Sequence, residues 1–305
     1  MSVLDAIGDT PLVELRRVVP TGHARVVVKV EATNPTGSMK DRMALASIEA
    51  AERDGRLRPG GTVVEYTGGS TGTSLAFVCA AKGYPLQIVT SDAFSAEKRD
   101  HMRALGADLR LVPSDAGRIT ADLIRQMIAM AREMGAESGA WWVDQLNNVD
   151  AAGGYEPMGD EIWAAAGQVE AFVHTVGTAH SFHGTVAALR RHRPDVLTIA
   201  VEPAESPILS EGRTGGHRIE GIGLGFVVPM WEPSDASEIA TVSSDEAHAM
   251  ARRLAREEAL FGGASTGANV VVALRIAERL GRGQTVATIQ VDSGLKYLST
   301  EIYRS

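Results

Sequence analysis

The stretch Thr62-Val63-Val64-Glu65-Tyr66-Thr67-Gly68-Gly69-Ser70-Thr71-Gly72 decides how the chain is read. Residues 62–66 are a short apolar run rich in β-branched side chains, which reads as a strand. Residues 71–82 read as a buried helix. The glycines and hydroxyls between them make a strand–loop–helix unit. Working outward, similar apolar runs fall at 25–30, 86–90, 109–112, 140–143, 171–176, 196–201 and 286–291. Helical patterns occupy 41–54, 96–105, 119–134, 150–165, 182–192, 244–260 and 266–280. Strands apolar almost throughout are those buried on both faces of a parallel sheet. Their alternation with helices predicts an α/β fold. Eight strands also fit a (β/α)₈ barrel, but irregular spacing and scattered glycine loops favour two open, mainly parallel twisted sheets flanked by helices.

Composition narrows the function. A chain of 305 residues suggests two domains or one large α/β unit. With 44% hydrophobic and 22% charged residues, wholesale disorder is excluded. No apolar run approaches the ~20 residues of a membrane span. The start of the chain, Met1-Ser2-Val3-Leu4-Asp5, lacks a signal-peptide pattern, so a cytoplasmic protein is expected. A formal charge of −8 with no basic cluster argues against nucleic acid and anionic membrane as partners. The single cysteine, Cys79, allows neither an intrachain disulfide nor a cysteine zinc site, and it reads as a core filler.

Three loops carry the chemical signal. In Thr67–Gly72, glycine permits close backbone approach, and the following helix start offers free N–H groups and a positive dipole end to a carboxylate or phosphate. The alternative is a tight turn with Ser/Thr caps. Gly177-Thr178-Ala179-His180-Ser181, after the apolar run ending at Val176, suits a phosphate by the same logic. It matches neither the dinucleotide fingerprint nor the Walker pattern, which argues against a nucleotide-binding protein. His180 and His183 stand three apart, but with no third ligand nearby no metal is expected. Gly221-Ile222-Gly223-Leu224-Gly225 is the third loop, or a flexible surface turn. Asp292-Ser293-Gly294 places a hydroxyl at another strand's carboxyl end, where open sheets bind ligands.

Lys40 lies in Asn34-Pro35-Thr36-Gly37-Ser38-Met39-Lys40-Asp41-Arg42, a turn running into a helix. A lysine in the first helical turn opposes the macrodipole. It reads either as an exposed lysine offset by Asp41, or as an amine kept ready to condense with a carbonyl.

In this combination the chain resembles the fold-type II pyridoxal-phosphate (PLP) enzymes, in particular the cysteine synthase (O-acetylserine sulfhydrylase) and cystathionine β-synthase group. The likeness runs from Ile7-Gly8-Asp9-Thr10-Pro11-Leu12 to Leu298-Ser299-Thr300. It implies a cofactor cleft between a smaller domain, 1–12 and 34–147, carrying the substrate-carboxylate loop, and a larger one, 13–33 and 148–305, carrying the phosphate cup. It implies that Lys40 bonds PLP covalently and serves as the base. Gly177, Thr178, Ala179, His180 and Ser181 match the phosphate cup, usually Gly-Thr-Gly-Gly-Thr, and Ser293 matches the serine at the pyridine nitrogen. Thr67, Gly68, Gly69, Ser70 and Thr71 match the loop Thr-Ser-Gly-Asn-Thr-Gly, which grips the substrate carboxylate and the cofactor's 3′-oxygen. Gln145 matches a second carboxylate contact, and Gly221 opens the loop at the mouth of the site. The departures are Gly68 and Ser70 in one loop, Ala179 and His180 in the other. The implied reaction is β-replacement on an activated serine with a sulfur nucleophile, in a homodimer. Cystathionine formation, cysteine desulfhydration, another β-substituted alanine synthesis and a non-catalytic PLP binder are the alternatives.

Overall fold

A computed structural model of the chain describes residues 2–117 and 120–304. In chain order, β1 (Leu12–Glu14) and β2 (Arg25–Val30) precede α1 (Lys40–Asp54). Then follow β3 (Thr62–Tyr66), α2 (Ser70–Lys82), β4 (Leu86–Ser91), α3 (Ala96–Ala104), β5 (Asp108–Val112), α4 (Ala121–Gly135) and β6 (Ala140–Trp142). The second half holds α5 (Asp150–Gly153), α6 (Glu156–Ala166), β7 (Ala171–Thr175), α7 (His180–His192), β8 (Leu197–Pro203) and α8 (Ile208–Glu211). It closes with β9 (Glu238–Val242), α9 (Ser244–Arg253), α10 (Ala264–Leu280) and β10 (Thr285–Gln290).

The strands form two open sheets, in the orders β5-β4-β3-β6 and β1-β2-β10-β7-β8-β9. Every pairing is parallel except β1 with β2. In the small sheet Val63 lies beside Leu86 on one side and Trp141 on the other. Its outer face packs Val63 and Ile88 against Leu75 and Cys79 of α2. Burial there pushes the Cys79 thiol up to about 12, as befits a core residue. Phe172 and Ile289 of the large sheet and Val64 and Tyr66 of the small one share one hydrophobic cluster, which joins the two sheets. Among the described residues no helix is long and apolar enough to cross a membrane.

Two strands escape the sequence reading. Both β1 and β9 are sheet edges with half-exposed side chains, so neither has the apolar run that marks the interior strands. The helix expected over 150–165 is two. Gly154 lies where a Cβ would stand 2.6 Å from the Arg42 carbonyl oxygen, and Pro157 starts α6 afresh. The helix expected over 244–260 stops at Arg253 and continues as a π turn, Leu254–Glu258. The expected start of another, Ile119, lies outside the described residues.

Candidate active site

The ends of β3, β7 and β10 meet the starts of α1, α2 and α7. The turn before α1 is held to β10's extension by Met39 N donating to the Val291 carbonyl (3.0 Å) and Ser293 N donating to that of Gly37 (2.9 Å). Gly37 is needed there: its φ is +75° and a Cβ would stand 3.2 Å from that of Ser293. Asp41 fixes the turn by accepting from Thr36 N (2.8 Å) and Thr36 Oγ1 (2.5 Å). Asp41 is thus bound inward and is not the counter-charge of an exposed lysine. Lys40, the first residue of α1, is half-buried. Burial lowers its amine to about 8, against the pull of the Asp292 carboxylate.

The Thr67–Gly72 loop opens α2, and Thr67 Oγ1 accepts from Gly69 N at 3.0 Å. Thr71 Oγ1 donates to Gln145 Oε1 (2.9 Å), and Gln145 Nε2 donates to the Tyr66 carbonyl (2.7 Å). The structure therefore brings Gln145 to the loop. Beneath it, buried Glu65 accepts from the Tyr66 and Gln145 backbones, and desolvation lifts its carboxyl to about 8. Ser70 Oγ donates to Asp292 Oδ2 at 3.1 Å, tying α2's start to β10's end. Gly68 has a packing cause: a Cβ there would fall 2.3 Å from the Phe94 ring. Introducing a serine, Gly68→Ser, should destabilise the protein by about 1–3 kcal/mol in urea unfolding. The double variant with Phe94→Ala should regain most of that loss. An unaltered Gly68→Ser midpoint would refute the packing account.

The second loop opens α7. Ala179 caps it at φ +70°, a left-handed conformation costing a non-glycine residue roughly 1–2 kcal/mol. Strain kept at a helix start is typical of ligand sites. Gly177 is indispensable, since a Cβ would meet the Gly221 carbonyl oxygen at 2.4 Å. That contact also sets the mouth loop beside the cup. Buried His180 points Nδ1 at Thr178 Oγ1 (2.9 Å) and leaves Nε2 without a hydrogen-bond partner. Burial lowers its ring to about 4, with the Lys40 ammonium adding to the fall and the Asn148 backbone opposing it. His174 is likewise neutral, drawn down to about 3 by burial and Lys40. Asn269 Nδ2 donates to His174 Nδ1 (3.3 Å), so the ring's hydrogen sits on Nε2 and is donated to Ser181 Oγ (2.9 Å). The Ser181 hydroxyl hydrogen is thereby free for a ligand. His183 turns instead to Asp235 (2.6 Å), and among the described residues no His/Cys/Asp/Glu group could hold a metal ion.

Ser293 ends β10's extension, where its Oγ accepts from Leu295 N at 3.3 Å. The sequence reading passed over its neighbour. Asp292 is buried, accepts from Tyr297 OH (2.7 Å) and Ser70, and has an unpartnered Oδ1. Desolvation raises its carboxyl, while Lys98, Lys296 and the two hydroxyls pull it down. A carboxylate directly after an apolar strand was the available signal. Lys98 was also missed. Its Nζ lies 2.5 Å from Glu220 and 4.4 Å from the centre of the Tyr297 ring, linking α3 to the mouth loop. Nothing in the polar sequence of α3 marks it.

The pieces suit a phosphorylated aldehyde: an amine of lowered basicity, two helix starts with free N–H groups, and an orphaned imidazole nitrogen. Comparison with known proteins agrees. The sequence profile of the family described as "Pyridoxal-phosphate dependent enzyme" matches residues 3–292. A cysteine synthase of Staphylococcus aureus is 39% identical over 305 residues, covering 99% of this chain and 96% of that protein. The crystal structure of an O-ureido-L-serine synthase superposes with a TM-score of 0.92 at 37% identity, over 99% of this chain and 94% of that one. An O-acetylserine dependent cystathionine β-synthase from Helicobacter pylori also gives 0.92, at 33% identity over 99% and 98%.

Proposed function

The chain belongs to the pyridoxal-phosphate-dependent enzyme family and is cysteine synthase-like, and from that premise we propose that it forms L-cysteine from O-acetylserine or O-phosphoserine and a sulfur donor. The observation that carries this reading is Lys40, its amine lowered to about 8 beside Asp292, which is itself tied to the carboxylate loop through Ser70.

Lys40 would hold the cofactor, with the N–H groups of Gly177–Ser181, the Ser181 hydroxyl and His180 Nε2 around its phosphate and Ser293 toward its ring. Bound there, PLP supplies an electron sink that makes an amino acid's α-proton acidic and its β-substituent a leaving group. The protein's part is to orient and to move protons. The first-turn N–H groups of α2, with Thr71 and Gln145, hold the substrate carboxylate. Gly68 and Gly69 let that carboxylate approach the backbone. The Lys40 amine, freed when substrate binds, takes the α-proton. Glu65, kept neutral by burial, fixes the Gln145 backbone without setting a negative charge beside an anionic substrate.

The relatives' names include syntheses other than cysteine, so a sibling β-replacement is the second reading. It is favoured by Ser70, whose hydroxyl is already engaged by Asp292. The deciding experiment supplies O-acetylserine, O-phosphoserine and serine in turn with sulfide and identifies the product by mass spectrometry. Cysteine from either activated serine supports the proposal. No cysteine from both would overturn it. In the same assay Ser70→Ala should lower kcat/KM by about tenfold at most, the worth of one neutral hydrogen bond.

A further inference from the structure

A cavity of about 380 Å³ opens against the Asn34–Gly37 turn. Glu97, Lys98, His101, Ser293 and Lys296 line it with the turn itself. Lys40 and the Thr67–Gly72 and Gly177–Ser181 loops do not line it, but Ser293 does, so the cavity lies beside the reaction site and shares that residue with it. Its unusual member is Lys296. The residue is 7% exposed, yet its Nζ has no hydrogen-bond partner. A buried ammonium left so is costly, and such groups usually mark a ligand or water that completes them.

Most oxygens of the neighbouring carboxylates are already committed, and the free one, Asp292 Oδ1, makes no hydrogen bond to Lys296. Asp41 accepts from Thr36, Asp292 Oδ2 accepts from Tyr297 and Ser70, and Glu97 accepts from Ser299 N (3.0 Å) and Oγ (2.7 Å). Lys98 is held by Glu220. None of them supplies Lys296 with an acceptor. A cation would meet Lys296 and Lys98 together and be repelled, whereas an anion would find Lys296 Nζ and the His101 ring among the lining. The volume is that of a small-molecule pocket rather than of a single water.

We propose that this cavity is a second binding site, in which Lys296 receives a small oxyanion, either an organic carboxylate or a mineral oxyanion. Its test reads binding rather than turnover, so it can fail while the reaction proposed above stands. Holoprotein reduced with borohydride, so that the phosphate cup stays filled, is titrated by calorimetry with sulfate and separately with malonate at fixed ionic strength. Saturable binding of sulfate alone points to a mineral ligand, and stronger binding of malonate to an organic one. Lys296→Met should weaken binding about tenfold or more, as expected for a lost charge-assisted hydrogen bond. Thr71→Ala, at the substrate-carboxylate loop, should leave the titration unchanged. Should Lys296→Met not fold, Lys296→Gln carries the same expectation. No saturable binding of either anion, equal affinity in the Lys296 variant, or loss in Thr71→Ala would overturn the proposal.

Discussion

Lys40→Ala is expected to lose the cysteine-forming activity by about a thousandfold or more, the range of a lost general base compounded by a lost covalent anchor. Lys40→Arg should do no better, because a guanidinium neither condenses with an aldehyde nor gives up its proton. Neither change should unfold the chain. The amine is disfavoured where it stands: burial, opposed by Asp292, lowers it from 10.5 to about 8. The sign for stability follows. Between pH 8 and 10.5 the unfolded chain binds a proton at this lysine that the folded chain has released, so the apoprotein gains stability as pH rises through that window. Lys40→Ala should flatten the rise. Asp292→Asn should move the lysine's titration lower still, since the carboxylate is what holds it up. Borohydride reduction of the holoprotein and peptide mapping give an independent check. An adduct on Lys29, Lys82, Lys98 or Lys296, or a Lys40→Ala protein that keeps its turnover, would defeat the assignment.

What the sequence made legible was whatever is built from consecutive residues. The observed bounds of β2 and β3 are those read from the sequence, because Arg25–Val30 and Thr62–Tyr66 are short β-branched runs flanked by turn residues. The loops at 67–72 and 177–181 were legible for a similar reason: glycine and hydroxyls between a strand and a helix have few other uses. The two edge strands were not, because Val13 and Glu238 face outward and leave no apolar pattern. In the site, Gly68 appeared as a departure from the relatives' loop, and only the distant Phe94 ring explains it. Asp292, Tyr297 and Ser70 form one hydrogen-bonded group from residues more than two hundred positions apart. Lys98 and Glu220 likewise come from different elements. Pairings of this kind depend on how two sheets dock, which no local periodicity encodes.

Arg42→Met is expected to be the most destabilising single change near the site, by about 3–5 kcal/mol in urea unfolding, because it strands a buried carboxylate. Arg42 lies two residues after Lys40 on α1 and grips two acids at once. Nε and Nη2 donate to the two oxygens of Glu31, each at 2.8 Å, and Nη1 and Nη2 donate to those of Glu161 at 2.8 and 2.7 Å. Glu31 is fully buried and also accepts from Thr10 Oγ1 (2.6 Å) and Asn34 Nδ2 (2.8 Å), while Lys29 Nζ meets Glu161 Oε2 at 2.6 Å. The group therefore fastens α1, β2's end, α6 and the turn that presents Lys40. If the loss comes from an unpaired charge rather than from lost packing, Arg42→Met with Glu31→Gln should recover much of it, since both charges then leave together. The pH dependence has a definite sign. Burial raises the Glu161 carboxyl, but hydrogen bonds from Arg42 and Lys29 outweigh it and hold the group below its ordinary value. Its contribution is thus present above the ordinary carboxylate range and fades as pH falls through the lowered folded value. Arg42→Met should weaken that acid sensitivity as well as the stability at pH 7. A single variant as stable as the parent, or a double variant no better than the single, would show that the network does not anchor the helix that carries Lys40.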